Sequence, residues 1–139
     1  MRTRVAVRWS DEDGFGHVNN ASFLTYAEEG RDRLLTAVLG DATVWDVVIV
    51  RVEVDYRAEV THRDEAVLVD VAIDGFGRSS VRTVETISRP DGTVAAEMAT
   101  VSVVRDRVAA ASRPWTDAER AALGAARAAA ADPAAGGPW

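Results

Sequence analysis

The residues best suited to chemistry in this sequence lie close together near its N-terminus, in the stretch Asp11–Asn20. The stretch reads Asp-Glu-Asp-Gly-Phe-Gly-His-Val-Asn-Asn and so combines carboxylates, an imidazole and two amides. An ionised carboxylate next to a carbonyl group acts as a nucleophile or as a general base for water. Gly14 and Gly16 lack a Cβ and permit the backbone angles that a tight loop needs. We therefore expect a loop that presents an acid.

A strand and a helix are predicted on either side of this loop. Before it, Val5, Val7 and Trp9 alternate with polar or small residues, which is the period-2 pattern of a half-buried strand. After it, apolar and small residues recur at three- and four-residue spacing and predict a helix over residues 21–39. These residues are Phe23, Ala27, Gly30 and Leu34. A glycine in mid-helix costs about 1 kcal/mol against alanine, so we expect close packing at Gly30.

The start of the predicted helix is the second feature with chemical potential. The side chain of Asn19 or Asn20 can cap its first amides. Amides that stay unpaired, together with the helix dipole, stabilise negative charge on a nearby oxygen. An acid carried by a tight loop onto a helix N-terminus therefore predicts a reaction centre.

The rest of the chain predicts an antiparallel sheet. Four stretches have the pattern of strands, at residues 45–56, 66–74, 79–89 and 93–104. Turn signals at Gly75–Gly77 and Pro90–Gly92 join the last three. For the stretch 45–56 the alternation predicts one buried face, formed by Val50, Val52, Val54 and Tyr56. One strand, a long helix and four consecutive strands predict an α+β fold with the helix lying across the sheet.

Particular residues of the chain resemble those of a known family. They are Asp11, Asp13, Gly16, His17, Val18, Asn19, Asn20, Phe23, Tyr26, Glu28, Glu29 and Arg31, followed by Val54–Arg57, Gly77–Ser80 and Pro90–Gly92. With these residues the sequence is similar, over roughly residues 3–105, to the hotdog-fold acyl-CoA thioesterases of the 4-hydroxybenzoyl-CoA thioesterase type. The resemblance implies a hotdog fold, in which an antiparallel five-stranded sheet wraps around a long central helix.

The same resemblance implies an activity and an assembly. The activity is hydrolysis of an acyl-CoA, or of a thioester on an acyl carrier protein, to a free acid and a thiol. Coenzyme A is then part of the substrate, and neither a further cofactor nor a metal is expected. The family binds its substrate between two subunits, so we expect a homodimer or homotetramer whose sheet continues across the two-fold axis.

The catalytic residues follow from the resemblance position by position. The family's catalytic aspartate corresponds to Asp13, while Asp11 shapes the loop. The amide that polarises the thioester carbonyl corresponds to the backbone N–H of Asn20. Gly16 and His17 belong to the same catalytic loop, where the histidine can orient a water or relay a proton.

The resemblance also implies residues that hold coenzyme A. The family segment that lies along the cofactor corresponds to Arg78, Ser79 and Ser80. Arg57 is a further candidate, because a guanidinium group pairs well with a phosphate.

Purely structural interpretations exist for the loop residues. Asp13 can be a turn-forming aspartate that bonds its own backbone. His17 can fold the loop, and the side chains of Asn19 and Asn20 can be caps alone. A metal site from the histidines and aspartates is disfavoured, because these residues lack a regular ligand spacing. Its candidate ligands are His17, His62, Asp11 and Asp13.

The helix offers an alternative acid, since other hotdog thioesterases place theirs on this helix. Glu28 lies two turns after Asn20 and returns to the same side of the helix. The structural alternative for Glu28 and Glu29 is an ion pair with Arg31 or Arg33. Aromatic residues that can line an acyl pocket, or simply fill the core, are Phe15, Phe23, Tyr26 and Trp45.

Two other functions compete with thioester hydrolysis. A module that binds acyl thioesters without cleaving them would need the ligand contacts but not the acid at Asp13. A dehydratase or hydratase of the same fold pairs a histidine with an acid in differently ordered motifs, and the sequence contains neither motif.

Composition limits the remaining classes. The chain has 139 residues, a formal net charge of −6 and no cysteine, which excludes disulfides, zinc–thiolate sites and a cysteine nucleophile. The acidic balance argues against a nucleic-acid partner. No apolar run is long enough to cross a bilayer, and the N-terminal residues lack the apolar segment of a secretory signal. We therefore expect a cytoplasmic protein without a membrane partner.

The C-terminal part differs in character from the first 108 residues, which we predict to form the hotdog domain. Residues 109–113 are predicted to be a linker, and Thr116 and Glu119 predict a capping box at the start of an alanine-rich helix that ends near residue 131. Leu123 is the one large apolar residue of that helix, so we expect it to dock weakly or onto a partner subunit. Residues 132–139 predict a mobile tail.

Overall fold

An antiparallel sheet curled around one long helix forms the body of the protein. The computed structural model describes residues 1–131, and the predicted tail at residues 132–139 lies outside them. The strands are β1 (Arg2–Ala6), β2 (Val47–Tyr56), β3 (Ala66–Phe76), β4 (Ser80–Ser88), β5 (Val94–Asp106) and β6 (Ala111–Ser112). The helices are α1 (Asn20–Leu39), α2 (Asp41–Val44) and α3 (Asp117–Ala131), with short 3₁₀ turns at Trp9–Asp11 and His62–Asp64.

The order of the strands places both early strands at the edges of the sheet. That order is β1-β3-β4-β5-β2, with the short β6 paired to the end of β5. Strands β3, β4 and β5 form a meander joined by the two predicted turns. The predicted α+β arrangement, with the helix across the sheet, is confirmed.

Helix α1 packs closely on the centre of the sheet, as its small residues predict. A Cβ added to Gly30 would lie 2.7 Å from Cγ1 of Val69 and 3.0 Å from Cγ2 of Val71. Real Cβ atoms do not approach neighbours so closely, so an alanine would push the helix and strand apart. On the same side of α1, Tyr26 and Leu35 are completely or almost completely buried.

A buried ion pair also joins α1 to the sheet. Nη1 of Arg31 donates to Oε1 of Glu85 at 3.1 Å and to Oγ1 of Thr100 at 3.2 Å. Thr83 donates to the same Glu85 oxygen at 2.6 Å. Burying one charge alone is costly, but the pair and its hydroxyl partners satisfy each other.

Two boundaries at the N-terminal side differ from the prediction. Strand β1 ends at Ala6, and Trp9 opens a 3₁₀ turn with 77% of its surface exposed, so it is not part of the strand face. The predicted loop after α1 contains the short helix α2, and β2 therefore begins at Val47 and not at Trp45.

The prediction of a buried face on β2 is wrong for the single chain. A bulge between Ile49 and Arg51 shifts the register against β5, and Val50, Val52 and Tyr56 are exposed. The reason is topological, because β2 is an edge strand and α1 does not cover its outer part. Only Val54 of the predicted face is partly buried and packs against the core.

The C-terminal segment docks more firmly than predicted. Trp115 and Leu123 retain 4% and 0% exposure and belong to the same hydrophobic core as α1 and the sheet. The predicted linker contains β6, which pairs with the end of β5. The capping box of α3 is confirmed, since the Thr116 amide donates to Oε2 of Glu119 and the Glu119 amide to Oγ1 of Thr116.

Within residues 1–131, none of the helices is both long and apolar enough to span a membrane.

Candidate active site

The loop between β1 and α1 is anchored by the buried side chain of Asp11. Oδ2 of Asp11 accepts hydrogen bonds from the Tyr26 hydroxyl at 2.7 Å and from the Arg8 amide at 2.9 Å. Burial alone would raise the pKa of this carboxyl, but the bonds from Arg8 and Tyr26 and the charge of Arg8 outweigh it, and the pKa lies below its usual value. Asp11 therefore shapes the loop, as the sequence predicts, and ties it to helix α1.

Asp13 lies in the same loop but is only partly buried. Its Oδ1 accepts a hydrogen bond from the Phe15 amide at 2.9 Å, which is the turn-forming bond of the structural interpretation. Its Oδ2 accepts one from Nδ2 of Asn19 at 3.2 Å. Each oxygen keeps a further lone pair, so the turn geometry and a chemical role are compatible.

Asn19 connects Asp13 to the start of helix α1. It is the N-cap, and its Oδ1 accepts from the Ala21 amide at 2.9 Å while its Nδ2 donates to Asp13. One side chain thus fixes the carboxylate relative to the helix N-terminus. The sequence predicts the cap, but the bond to Asp13 was missed, since an Asn in a loop carries no local signal for which carboxylate it will meet.

The backbone amide of Asn20 is the first of helix α1 and is free to bind a ligand. No acceptor among residues 1–131 bonds to it. Its carbonyl, in contrast, accepts from the Tyr56 hydroxyl at 3.0 Å, which ties the helix start to strand β2. An unpaired N–H at the positive end of a helix is suited to an oxyanion.

Asp13 and Asn20 line one open cavity of about 510 Å³. The other lining residues are Phe15, His17, Val18, Phe23, Tyr56, Arg57, Ala58 and Glu59. Phe23 and Tyr56 meet edge to face with ring centroids 5.4 Å apart and form its apolar wall. Of the predicted pocket aromatics, Phe15 and Phe23 therefore lie here, whereas Tyr26 is core. The fourth, Trp45, does not line this cavity.

Neither histidine bonds to Asp13 through its ring. Nε2 of His17 lies 3.1 Å from Oε2 of Glu59, and this contact joins two residues of the cavity wall. Glu59 is a residue that sequence reasoning missed, because its apolar neighbours give no hint of this contact. Nδ1 of His62 lies 2.7 Å from Oε1 of Glu12. Among the described residues no cluster suited to a metal ion occurs.

Gly16 has the backbone conformation that the loop prediction requires. Its φ is +80°, a value that residues with a Cβ rarely adopt. Its amide donates to the Asp13 carbonyl at 3.0 Å, and the Asp13 amide donates to the His17 carbonyl at 3.0 Å. Gly16 thus closes the turn that presents Asp13.

The predicted coenzyme A residues separate into two groups. Arg57 lines the cavity, but its guanidinium is shared with Glu97 at 3.0 Å and Asp55 at 3.3 Å. The segment Arg78–Ser80 lies at the far end of β3, an eleven-residue strand whose length is roughly 35 Å. Within one chain the structure therefore does not bring that segment to Asp13.

The C-terminal part of the chain forms hydrogen bonds to the backbone of the segment Arg78–Ser80. The amide of Trp115 donates to the Arg78 carbonyl at 2.9 Å, and its Nε1 donates to the Ser80 carbonyl at 3.1 Å. The Arg78 guanidinium itself is exposed and forms no ion pair or hydrogen bond with residues 1–131. The Arg78 guanidinium is therefore available to a ligand, but not to one that lies wholly inside the cavity of Asp13 in the same chain.

The acids on the helix do not form the predicted ion pairs. Arg31 points inward to Glu85, and no ion pair within the described chain involves Glu28 or Glu29 with Arg33. Glu28 lines a second cavity further along α1 and does not reach the cavity of Asp13.

Comparison with known proteins defines the class to which this fold and site belong. A thioesterase from Thermus thermophilus, determined with coenzyme A and Zn, is 34% identical, with 91% of this chain and 93% of that chain covered and a TM-score of 0.82. A predicted thioesterase from Bacillus stearothermophilus is 29% identical over 90% of this chain and 94% of that chain, with a TM-score of 0.82. No curated protein matches. These likenesses confirm the hotdog fold.

The family model for the thioesterase-like superfamily matches residues 7–123. The chain belongs to this superfamily. The match extends past residue 108 into α3, in keeping with the burial of Trp115 and Leu123.

Proposed function

We propose that this protein hydrolyses an acyl thioester of coenzyme A, or of an acyl carrier protein, to a free acid and a thiol. The observation that carries the proposal is that the Asp13 carboxylate and the unpaired Asn20 amide line the same cavity. A carboxylate and an oxyanion donor are the two groups that hydrolysis of a thioester requires. Membership of the thioesterase-like superfamily and the coenzyme A in a related structure support the substrate class.

Asp13 acts in one of two ways on a carbonyl that the Asn20 amide polarises. As a general base it takes a proton from water, and the hydroxide adds to the carbonyl carbon. The tetrahedral oxyanion then accepts the bond from Asn20, and its collapse expels the thiolate, which takes up the proton. As a nucleophile, a carboxylate oxygen displaces the thiolate, and water hydrolyses the resulting anhydride. Neither route needs a metal or a further cofactor.

His17 has a positioning role in this proposal. Its ring is engaged by Glu59 on the cavity wall, and its carbonyl accepts from the Asp13 amide. Both contacts keep the loop in the shape that directs the carboxylate into the cavity. Gly16 contributes the turn itself.

The coenzyme A portion is bound by two subunits in the proposed assembly. Arg57 lies at the cavity of its own chain, and in the proposed assembly Arg78, Ser79 and Ser80 contact the coenzyme A bound at the cavity of a second copy. A homodimer, or a homotetramer built from it, therefore completes each site. The exposed apolar edge of β2 supports this assembly, because long open edges tend to pair.

A non-catalytic acyl-thioester-binding protein is the second candidate. Both oxygens of Asp13 already accept hydrogen bonds from the loop, which a binding module would also need for its shape. The two functions differ in whether the thioester bond breaks.

The test is a panel of aromatic, short-chain and long-chain acyl-CoA esters, with release of the free thiol followed over time. Binding of the same esters is measured by calorimetry. We expect turnover of at least one ester class. Tight binding without thiol release from any ester would support the binding module and contradict the hydrolase.

A further inference from the structure

A second cavity of about 270 Å³ lies along helix α1 beyond the candidate active site. Its apolar wall consists of Leu35, Val44, Val47, Val48 and Ile49. The remaining lining residues are polar, namely Glu28, Arg31, Asp32 and Ser102. The cavity thus combines an apolar wall with a small group of hydrogen-bonding side chains, which is typical of ligand sites.

Arg31 presents unused hydrogen-bond donors to this cavity. The residue is only 4% exposed, and its Nη1 donates hydrogen bonds to Glu85 and Thr100. Neither Nε nor Nη2 of Arg31 donates to an acceptor among residues 1–131. In the described side chains, every polar atom that is fully shielded from solvent has a hydrogen-bond partner. The two nitrogens are therefore accessible, and the cavity that Arg31 lines is the space they reach.

Ser102 adds a third donor from the floor of the cavity. It lies on β5 with 2% of its surface exposed, and within residues 1–131 its hydroxyl neither donates nor accepts a hydrogen bond. Since no sealed-off polar atom of the described side chains lacks a partner, this hydroxyl is open to the cavity, and a ligand atom placed there can accept from Arg31 and Ser102 together.

The surrounding charges select a neutral acceptor over an anion. The charge of Arg31 is balanced by Glu85, while the carboxylates of Glu28 and Asp32 line the same cavity. Partial burial and the charge of Glu28 raise the pKa of Asp32. A hydroxyl or a carbonyl oxygen fits these surroundings, whereas a ligand carboxylate would be repelled.

Both cavities are lined by residues of α1 and of β2. The first contacts Asn20 at the helix start and Tyr56 at the end of β2, and the second contacts Arg31 and the beginning of β2. The eleven residue steps from Asn20 to Arg31 span roughly 16 Å along the helix. Leu24 is exposed on α1 between these two positions and offers apolar contact to a chain that runs from one cavity to the other.

We propose that the Arg31–Ser102 cavity binds the far end of the acyl chain and selects chains that carry a hydroxyl or carbonyl oxygen at that end. The proposal rests on the thioester hydrolysis proposed above, and it assigns a substrate class to that activity: medium- to long-chain acyl groups oxygenated at the terminus. Such a group gains hydrogen bonds that an unsubstituted chain leaves unmade.

The test compares kcat/KM for three CoA esters of equal chain length, namely ω-hydroxydodecanoyl-CoA, dodecanoyl-CoA and the ω-carboxy analogue. We expect the hydroxy ester to be preferred over dodecanoyl-CoA about tenfold or more, the scale of one or two hydrogen bonds from buried donors, and the carboxy ester to be the poorest. Ser102→Ala should lower the preference for the hydroxy ester about threefold or more. Arg31→Lys keeps a charge opposite Glu85 but loses Nε and Nη2, and should lower the preference further.

Ser88→Ala, a serine of β4 outside both cavities, is the matched control and should leave the preference unchanged. Thermal unfolding of each variant establishes that it folds, and Ser102→Ala removes no bond within the described chain. Equal kcat/KM for the hydroxy and unsubstituted esters, or a preference that Ser102→Ala and Arg31→Lys leave unchanged, would overturn the proposal while leaving hydrolysis intact. If no ester is hydrolysed, the hydrolase itself is contradicted, and the relative affinities of the three esters by calorimetry still decide the selectivity.

Discussion

Asp11 and Asp13 lie two residues apart in one loop and present the same chemical group to different surroundings. Asp11 is buried against Tyr26 and Arg8, so its lone pairs are used within the fold. Asp13 is partly exposed at the cavity and retains capacity for a substrate or a water. Glu12, which separates them, has an extended backbone, and the tight turn begins only at Asp13, whose carbonyl accepts from the Gly16 amide.

Replacing Asp13 by Asn removes the negative charge and keeps the size of the side chain. We expect kcat for the best acyl-CoA ester to fall on the order of a hundredfold or more, because proton transfer or nucleophilic attack is lost. Affinity for the ester should change little, since the Asn20 amide remains. Steady-state kinetics and calorimetry measure the two quantities.

Asp11→Asn is the matched control for this experiment. It should retain most of kcat but lower the free energy of unfolding by about 1–3 kcal/mol, because the bonds from Tyr26 and Arg8 lose their charged acceptor. Full activity of Asp13→Asn would contradict the assignment and move the chemistry to another residue of the cavity.

The two roles of Asn19 can be separated by substitution with serine. Serine caps a helix about as well as asparagine, but it lacks the Nδ2 group that holds Oδ2 of Asp13. We therefore expect Asn19→Ser to keep its melting temperature and to lose activity by about tenfold to a hundredfold, through misplacement of the carboxylate. A loss of stability with unchanged kcat would instead show that Asn19 is a cap only.

At the scale of elements, one charged contact lies at the start of the C-terminal helix. Arg113 approaches Glu119 at 2.8 Å, and their hydrogen bond, together with the bonds from Thr116, lowers the pKa of Glu119 to about 2. A carboxyl with a lowered pKa stabilises the fold fully above its usual pKa and loses this contribution as the pH falls toward the lowered value.

We therefore expect Glu119→Gln to melt at a lower temperature than the native chain above about pH 5. The difference between the two melting temperatures should shrink as the pH falls from about 5 toward 2, because the native carboxyl becomes protonated in that range. Thermal unfolding across this pH range checks the prediction. A constant difference at every pH would show that the ion pair is not its source.

Elements with a local pattern were predictable from the sequence. Helix α1 was placed at residues 21–39 and spans Asn20–Leu39, and the ends of the meander strands differ from the prediction by at most two residues. The prediction of close packing at Gly30 was correct, because a glycine in mid-helix lowers helix stability unless a close contact requires it. The capping box of α3 is a local motif and was also recognised.

Features that depend on distant partners were not predictable. Arg31 and Glu85 are 54 residues apart in sequence, and nothing near either of them indicates the other. The firm docking of α3 depends on Trp115, which precedes the helix and lies outside its periodic pattern. In the candidate site, the loop that carries Asp13 was predictable, but the bond from Asn19 to Asp13 and the contact between the His17 ring and the Glu59 carboxylate arise only when the loop folds.

At the scale of the whole molecule, β2 leaves an apolar edge uncovered. Ile49, Val50 and Val52 are exposed on it. We expect a homodimer paired through this edge, with a mass by light scattering of twice that of one chain at micromolar concentration. Val52→Glu should shift the protein toward the monomer, since it places charge at the pairing edge.

Val108→Glu is the matched control, because Val108 is also exposed but lies outside β2. It should leave the mass unchanged. A monomer at micromolar concentration in the unsubstituted protein would contradict both the dimer and the shared site.

A shared site predicts that two defective subunits can complement each other. Arg78→Ala should raise KM for acyl-CoA but hardly for the matching acyl-pantetheine, which has no nucleotide phosphates to bind. Refolding Asp13→Asn together with Arg78→Ala should give heterodimers in which one site has both native residues. We expect kcat/KM for acyl-CoA above that of either variant alone, and no gain on mixing would place Arg78 outside the site.

The strand order has a consequence for how the chain folds as it is synthesised. Strands β1 and β2 do not pair with each other but with β3 and β5, which come later in the chain. The first 56 residues therefore leave the ribosome without a strand partner, and β2 finds its own only when β5 has been made. The loop that carries Asp13 is translated early, yet the Val18 amide at its end needs the carbonyl of Val60, which is made 42 residues later.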